Sequence, residues 1–320
     1  MKKSSWFLLI AGGILSLLFL VGAGGYYFRV ALLERFYKQE GNGYMRKKNY
    51  PKAIETYTKL ANLNNKSLTA YMGRGQAYYY SGRYEEAIED CNHALTFVRV
   101  NKNITSCYLW RGGCNSAENR WDAAIYDYSS ALIYSPYAWD AYRLRGYAYA
   151  KTRHFELALR DANEAIRRHP EALTFETRGF VYGEMEQHAK ALADCLAAAN
   201  ADPDSRIAWS CLGWEQYKAG QWQEAERSDR RALEINGNVP TPRFNLGLCF
   251  AVQNNTIEAK KEYALALAGS KASQRDPALI ELKKAQAEHP NTSAIADSLL
   301  LFAAAKSNAP QKKSLYHITR

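Results

Sequence analysis

Residues 68–101 read LTAYMGRGQAYYYSGRYEEAIEDCNHALTFVRVN, and the interpretation of this stretch decides the fold. Tyr71, Arg74, Gly75 and Tyr78 fall at helical spacing, and Gly82 then breaks the chain. Tyr84, Ala87, Ile88, Cys91, Ala94 and Leu95 form a second apolar stripe at the same spacing. Two short amphipathic helices joined by a turn cannot bury their apolar faces alone, so neighbours of the same kind are required.

The neighbours are present on both sides. Gly41, Gly75, Gly112, Gly146, Gly179, Gly213 and Gly247 recur at separations of 34, 37, 34, 33, 34 and 34 residues. Each is followed twelve residues later by an alanine: Ala53, Ala87, Ala124, Ala158, Ala191, Ala225 and Ala259. Helices that cross closely need small residues at the crossing, which gives the glycine and the alanine one common role. A third small residue lies seven positions further on, at Ala94, Ala131, Ala165, Ala198, Ala232 and Ala266, with Leu60 in the first repeat. A fixed period in this range marks a solenoid, whose stacked units make long surfaces and not closed pockets.

Two aromatic columns and a proline complete the pattern. Position 4 holds Tyr37, Tyr71, Tyr108, Tyr142, Phe175 and Trp209; position 11 holds Tyr44, Tyr78, Tyr149, Tyr182 and Phe250; position 32 holds Pro136, Pro170 and Pro203. This pattern resembles the tetratricopeptide repeat, W-x2-L-G-x2-Y then A-x3-F then P. The resemblance implies an all-α, right-handed α-solenoid of seven helix-turn-helix repeats over residues 34–67, 68–101, 105–138, 139–171, 172–205, 206–239 and 240–273. Asn115 and Gln216 depart from the position-11 aromatic, Arg243 departs at position 4, and three extra residues separate repeats two and three. Beyond residue 273 the period stops. Asp276 and Pro277 have the character of an N-cap and first helical residue, so residues 274–306 are expected to form a capping helix pair over the open end, followed by a basic tail at 307–320.

At the other end, residues 1–5 carry Lys2 and Lys3, and residues 6–28 carry no charge. About 20 apolar residues span a bilayer core, so 6–28 is expected to be one N-terminal transmembrane helix. A cleaved signal peptide is the alternative, with Val21-Gly22-Ala23 as a small-residue cleavage site. The length of the run and the aromatic group Tyr26, Tyr27 and Phe28 favour the uncleaved anchor. The start resembles a bacterial export signal, which would place the repeats on the periplasmic face of the inner membrane. Arg29, Arg35, Lys38, Arg46, Lys47 and Lys48 argue against export by the positive-inside count.

The net charge of +10 includes this juxtamembrane cluster, which suits anionic lipid headgroups; no motif supports nucleic acid binding. Of the six cysteines, none forms a Cys-x-x-Cys pair, so a zinc site is not expected, and buried free thiols are the ordinary outcome. The sharper alternative is a pair of inter-repeat disulfides, because Cys107 follows Cys91 by sixteen residues as Cys211 follows Cys195.

No catalytic constellation, cofactor motif or metal-ligand spacing is present, and the histidines are scattered. Four repeats carry arginine at position 7 and aspartate at position 23: Arg74 with Asp90, Arg111 with Asp127, Arg145 with Asp161, and Arg178 with Asp194. Repeats one, six and seven have neither, so four structural ion pairs are expected, preferably within each repeat.

The remaining chemistry is recognition. The resemblance implies a concave groove lined by the first helix of each repeat. The residues so assigned to partner binding are Met72, Gln76, Tyr79, Leu109, Arg143, Tyr147, Glu176, Phe180, Trp214, Tyr217, Phe244 and Leu248. Aromatic residues with an occasional arginine suit an interface hot spot, although the same side chains could pack on neighbours or on the capping helices. The carboxylate clamp of tetratricopeptide co-chaperones is incomplete: Lys38 and Asn42 match, whereas Gly73, Ser106 and Trp110 do not. The expected function is a membrane-anchored scaffold that binds a protein or peptide. Its rivals are a cleaved, soluble periplasmic adaptor and, from another class, an envelope-associated enzyme.

Overall fold

The structure is a computed structural model that describes residues 22–237 and 239–307. Sixteen α-helices and no strand occur among the described residues. Two compact units divide the chain between Thr152 and Arg153. The first contains α1 (Gly22–Arg46), α2 (Tyr50–Leu63), α3 (Leu68–Tyr80), α4 (Tyr84–Phe97), α5 (Asn101–Ala117), α6 (Trp121–Tyr134) and α7 (Trp139–Lys151). The second contains α8 (Phe155–Arg168), α9 (Ala172–Glu184), α10 (His188–Ala201), α11 (Arg206–Lys218), α12 (Trp222–Ile235), α13 (Pro240–Val252), α14 (Thr256–Gly269), α15 (Ala272–Glu288) and α16 (Ser293–Ser307). Repeat four contributes α7 to the first unit and α8 to the second.

The periodic small residues are where the helices close on one another. Ala53, Ala87, Ala124, Ala158, Ala191, Ala225 and Ala259 are at most 1% exposed. Gly41, Gly112, Gly179, Gly213 and Gly247 face position 24 of their repeats, on the second helix. A Cβ on Gly41 would come within 2.7 Å of the Tyr57 ring, and one on Gly112 within 2.6 Å of Tyr128. No real Cβ tolerates that distance, so the tyrosine can lie flat only on a glycine. The turn within each repeat is equally regular. Position 15 takes a left-handed backbone every time, at Lys48, Gly82, Asn119, Arg153, Glu186, Gly220 and Asn254, with φ from 54° to 75°. Only glycine adopts this without cost, so the five other residues hold it because the packed helices demand it.

The departures from the pattern have local solutions. The extra residues between repeats two and three lengthen α5, which begins at Asn101 and runs 17 residues. Asn115 donates from Nδ2 to Asp127 at 2.9 Å, and Gln216 accepts from Ser228 Oγ at 2.6 Å, so a polar bond replaces the missing ring contact.

Beyond the repeats, α15 begins at Ala272, ahead of the Asp276-Pro277 start expected from sequence, and Pro277 lies inside it. The helix start is satisfied earlier, where the Lys271 N–H donates to Gln274 Oε1 at 3.1 Å. Pro277 is its sixth residue, past the first turn, so it lacks the N–H that would donate to the Ser273 carbonyl. Of the expected membrane segment, residues 6–21 lie outside the described residues, as do 1–5 and 308–320 of the two tails. Residues 22–28 open α1. Among the described residues no helix is long and apolar enough to cross a membrane.

Candidate peptide-binding surface

In the first unit, α3, α5 and α7 are the first helices of their repeats and bring groove positions together. Tyr79 of α3, Gly113 and Ser116 of α5, and Arg143 and Tyr147 of α7 line a cleft of about 450 Å³ with Trp121 of α6. Gly113 leaves room in its middle: a Cβ there would meet nothing within 4 Å. The rings at its edge are held by other rings. Tyr79 stands edge-on to Tyr84 at 5.4 Å and to Trp110 at 5.7 Å, and Trp121 stands edge-on to Tyr147 at 6.0 Å. At the floor, the Tyr128 hydroxyl shares a hydrogen bond with Ser116 Oγ at 3.0 Å. Burial pushes the Tyr128 hydroxyl up to about 12 and raises that of Tyr79, so both stay neutral and able to donate. The Lys151 ammonium lies 5.8 Å from the Tyr147 ring centre, which adds positive charge to the rim.

Other groove candidates of this unit sit lower. Met72 meets Cys107, sulfur to sulfur, at 3.5 Å, and Leu109 packs beside Ala124, Tyr128 and Ala148. Gln76 is half-buried on α3. Trp121 and Ser116 are not among the residues expected from sequence. Trp121 had a signal, because position 17 is aromatic at Tyr50, Tyr84, Phe155 and Trp222 as well. Asn42, a clamp match, accepts from the Tyr57 hydroxyl at 2.6 Å and is engaged within its own repeat.

The second unit treats the same positions differently. Trp214 and Tyr217 pack against a cluster that includes Leu282 and Ala285 of α15 together with Ala278 and Leu279. Lys218 lies 5.5 Å from the Trp214 ring centre and 3.8 Å from Glu281 of α15. Phe244 is 6% exposed and Leu248 3%; Phe244 meets Phe302 of α16 at 5.8 Å between ring centres. Glu176 is buried and accepts from Ser205 Oγ at 2.8 Å, and Phe180 is half-buried. The groove positions of repeats six and seven are therefore filled by α15 and α16.

The arginine–aspartate sets of repeats two, three and five pair within the repeat. Arg74 donates to Asp90 from Nε at 3.0 Å and Nη2 at 2.7 Å, and Arg178 donates to Asp194 twice at 2.7 Å. Arg111 holds Asp127 from Nε at 3.0 Å. The remaining guanidinium nitrogen reaches back to position 25 of the preceding repeat: Thr58, Asn92, Ser129 and Asn163 accept from Arg74, Arg111, Arg145 and Arg178 at 3.2, 2.6, 3.1 and 2.8 Å. Each arginine thus ties two repeats. Arg145 belongs to the first unit and Asp161, 1% exposed, to the second. Burial pushes the Asp90 carboxyl up, and Arg74 offsets this only in part. Repeats six and seven use other solutions. Arg243 donates to Glu262 at 2.8 Å. Asp229, fully buried, accepts from Asn245 at 3.1 Å, while its Oδ2 has no hydrogen-bond partner; burial pushes this carboxyl well up.

One of the two envisaged disulfides is present. Cys195 is bonded to Cys211, whereas Cys91 and Cys107 are free and buried. The inserted residues put Cys107 at repeat position 3, a helical turn before position 6, where Cys211 sits. Cys107 therefore meets Met72 instead. No group of three His, Cys, Asp or Glu side chains that could hold a metal occurs among the described residues. His188 and Glu215 approach to 2.9 Å between repeats five and six, an isolated pair.

The family model for the tetratricopeptide repeat matches residues 69–97. An Hsp70-Hsp90 organizing protein of Triticum aestivum is 24% identical over 236 residues, covering 63% of this chain and 41% of that protein. A DnaJ homolog subfamily C member 7 homolog of Dictyostelium discoideum is 31% identical over 103 residues, covering 31% and 19%. The chain thus spans less than half the length of these curated relatives. Among solved structures, a tetratricopeptide repeat protein from Parabacteroides merdae superposes with a TM-score of 0.61 at 12% identity, over 85% of this chain and 99% of that one. With the repeat columns, the helix pairs and these matches in place, residues 69–97 are a tetratricopeptide repeat and the described chain has the fold of tetratricopeptide-repeat proteins.

Proposed function

We propose that the chain is a scaffold that captures an extended segment of a partner protein in the cleft between Tyr79, Trp121 and Tyr147, and that it works from a membrane. The observation that supports the first part is the contrast between the open cleft of the first unit and the filled groove of the second. Rigid aromatic side chains around a recess are what hot spots use, because they bury much area at little entropy cost. The Triticum aestivum relative is by its name an organizing protein of Hsp70 and Hsp90. A chaperone C-terminal tail is not the ligand proposed here, since Gly73, Ser106 and Trp110 break the clamp and Asn42 is engaged by Tyr57.

Membrane attachment rests on the uncharged run 6–28 behind Lys2 and Lys3. Placement on the outer face of a bacterial inner membrane is favoured by the Cys195–Cys211 bond, because disulfides persist in oxidising compartments. A protein whose mature N-terminus is Gly24 by mass spectrometry would be the soluble alternative. Inactivity of a periplasm-dependent reporter fused after Arg320 would reverse the side.

The cleft is tested with a partner captured from solubilised membranes and then titrated in purified form. Tyr147→Ala is expected to weaken binding by roughly thirtyfold, the equivalent of about 2 kcal/mol, with helical content unchanged. Trp214→Ala is expected to leave the affinity of the folded fraction unchanged. The reverse pattern would move the binding surface to the second unit.

A further inference from the structure

Helix α1 starts twelve residues before the first repeat, and this extension has an unusual surface. Between residues 28 and 39 the exposed side chains are Phe28, Arg29, Ala31, Leu32, Arg35, Phe36, Lys38 and Gln39. Three are large and apolar, three are cations, and none is acidic. Phe28, Leu32 and Phe36 are 53%, 40% and 56% exposed. At about 100° per residue they share one stripe, with Arg29 and Arg35 at its two edges and Lys38 about 80° beyond the Phe28 edge. The nearest acids are less exposed: Glu34, on the opposite side, is half-buried and accepts from Asn64 Nδ2 at 2.6 Å, and Glu40, just past the stretch, is half-buried.

We propose that this face of α1 lies along an anionic membrane surface, with Phe28, Leu32 and Phe36 in the interfacial layer and Arg29, Arg35 and Lys38 on lipid phosphates. The inference rests on the membrane reading above and adds a second, separate contact to it. Charge supports it, since an exposed face of aromatics and cations without one acid matches an anionic interface. Position supports it too, because the uncharged residues 6–27 lead directly into the stripe. Length then decides the posture. Phe28 to Phe36 spans about 12 Å along the helix axis. The polar layer on one side of a bilayer is only about 5–8 Å deep. A helix standing upright would lift Phe36 into water, so α1 has to lean along the surface.

The test uses the full chain in vesicles of phosphatidylethanolamine and phosphatidylglycerol. The free native cysteines are all buried, so a nitroxide label goes to an introduced cysteine. Labels at Leu32→Cys and Phe36→Cys are expected to collide more with oxygen than with an aqueous nickel chelate. A label at Glu89→Cys, an exposed site on α4, is expected to show the opposite order. Adding Arg29→Glu, Arg35→Glu and Lys38→Glu is expected to return the first two labels to the aqueous order. If the chain resists a carbonate wash yet the labels at 32 and 36 behave like the one at 89, the anchor stands and the interfacial face is overturned. If carbonate removes the chain but those labels were oxygen-rich beforehand, the face stands and the anchor falls. Dipolar broadening between labels at 32 would mean that a second copy covers the stripe, which also overturns the proposal.

Discussion

The concave positions of the two units answer the same repeat geometry in opposite ways. In the first unit, position 9 runs Asn42, Gln76, Gly113 and Tyr147, and the glycine in the middle leaves a recess walled by Tyr79, Trp121 and Tyr147. In the second, position 9 runs Phe180, Trp214 and Leu248, and the last two lie against or within the cluster completed by α15 and α16. An aromatic ladder is a binding surface only while nothing in its own chain covers it. The hydrophobic gain that would draw a ligand draws the capping helices first, because their effective concentration is set by a short connection.

Four measurements would break or sharpen this contrast. Phe302→Ala, which empties the space against Phe244 and Tyr263, is expected to cost about 3–5 kcal/mol, read by hydrogen exchange in α13 to α16. Tyr147→Ala should cost less than about 1 kcal/mol; equal costs would mean that both grooves are core. Arg111→Ala leaves Asp127 buried without its main partner and is expected to cost about 3 kcal/mol in thermal unfolding. A loss below about 1 kcal/mol would reduce the pairs to surface contacts. Reducing the Cys195–Cys211 bond, which closes a loop of 16 residues, should remove about 3 kcal/mol, with faster exchange confined to the second unit. Faster exchange around Cys91 and Cys107 as well would mean that the thiol chemistry does not distinguish the units.

A pH-dependent effect concerns Asp229. Its folded-state pKa is raised, so above about pH 4 the unfolded chain loses a proton that the folded one keeps. Stability then falls as pH rises, by up to about 1.4 kcal/mol per unit, until the folded-state pKa is reached. Asp229→Asn is expected to flatten the melting temperature of the second unit between pH 4 and 7. An unchanged slope would show that Asp229 finds a solvating partner.

Particular residues show how far the pattern could be read. The arginine at position 7 and the aspartate at position 23 occur in the same four repeats, so the pairing seen in repeats two, three and five was visible as a correlation within one chain. The third contact of each arginine, to Thr58, Asn92, Ser129 or Asn163, was not, because threonine, serine and asparagine share only an oxygen at that place. Trp121 stands on a second helix, outside the first-helix positions that the resemblance assigns to the groove, although its column is aromatic. The left-handed turn at position 15 was marked by Gly82 and Gly220 but hidden behind Lys48, Arg153 and Glu186.

By itself the sequence determined the repeat, its helix pairs and the small residues at their crossings, because each of these depends on contacts between residues close in the chain and is stated again in repeat after repeat. Only the tertiary structure decided which groove is open, which cysteines meet and where α15 starts. Those outcomes depend on single contacts between distant segments: Phe302 reaching Phe244, Cys211 standing one turn beyond the place Cys107 takes, and Gln274 catching the Lys271 amide. Nothing repeats them, so no periodicity could announce them.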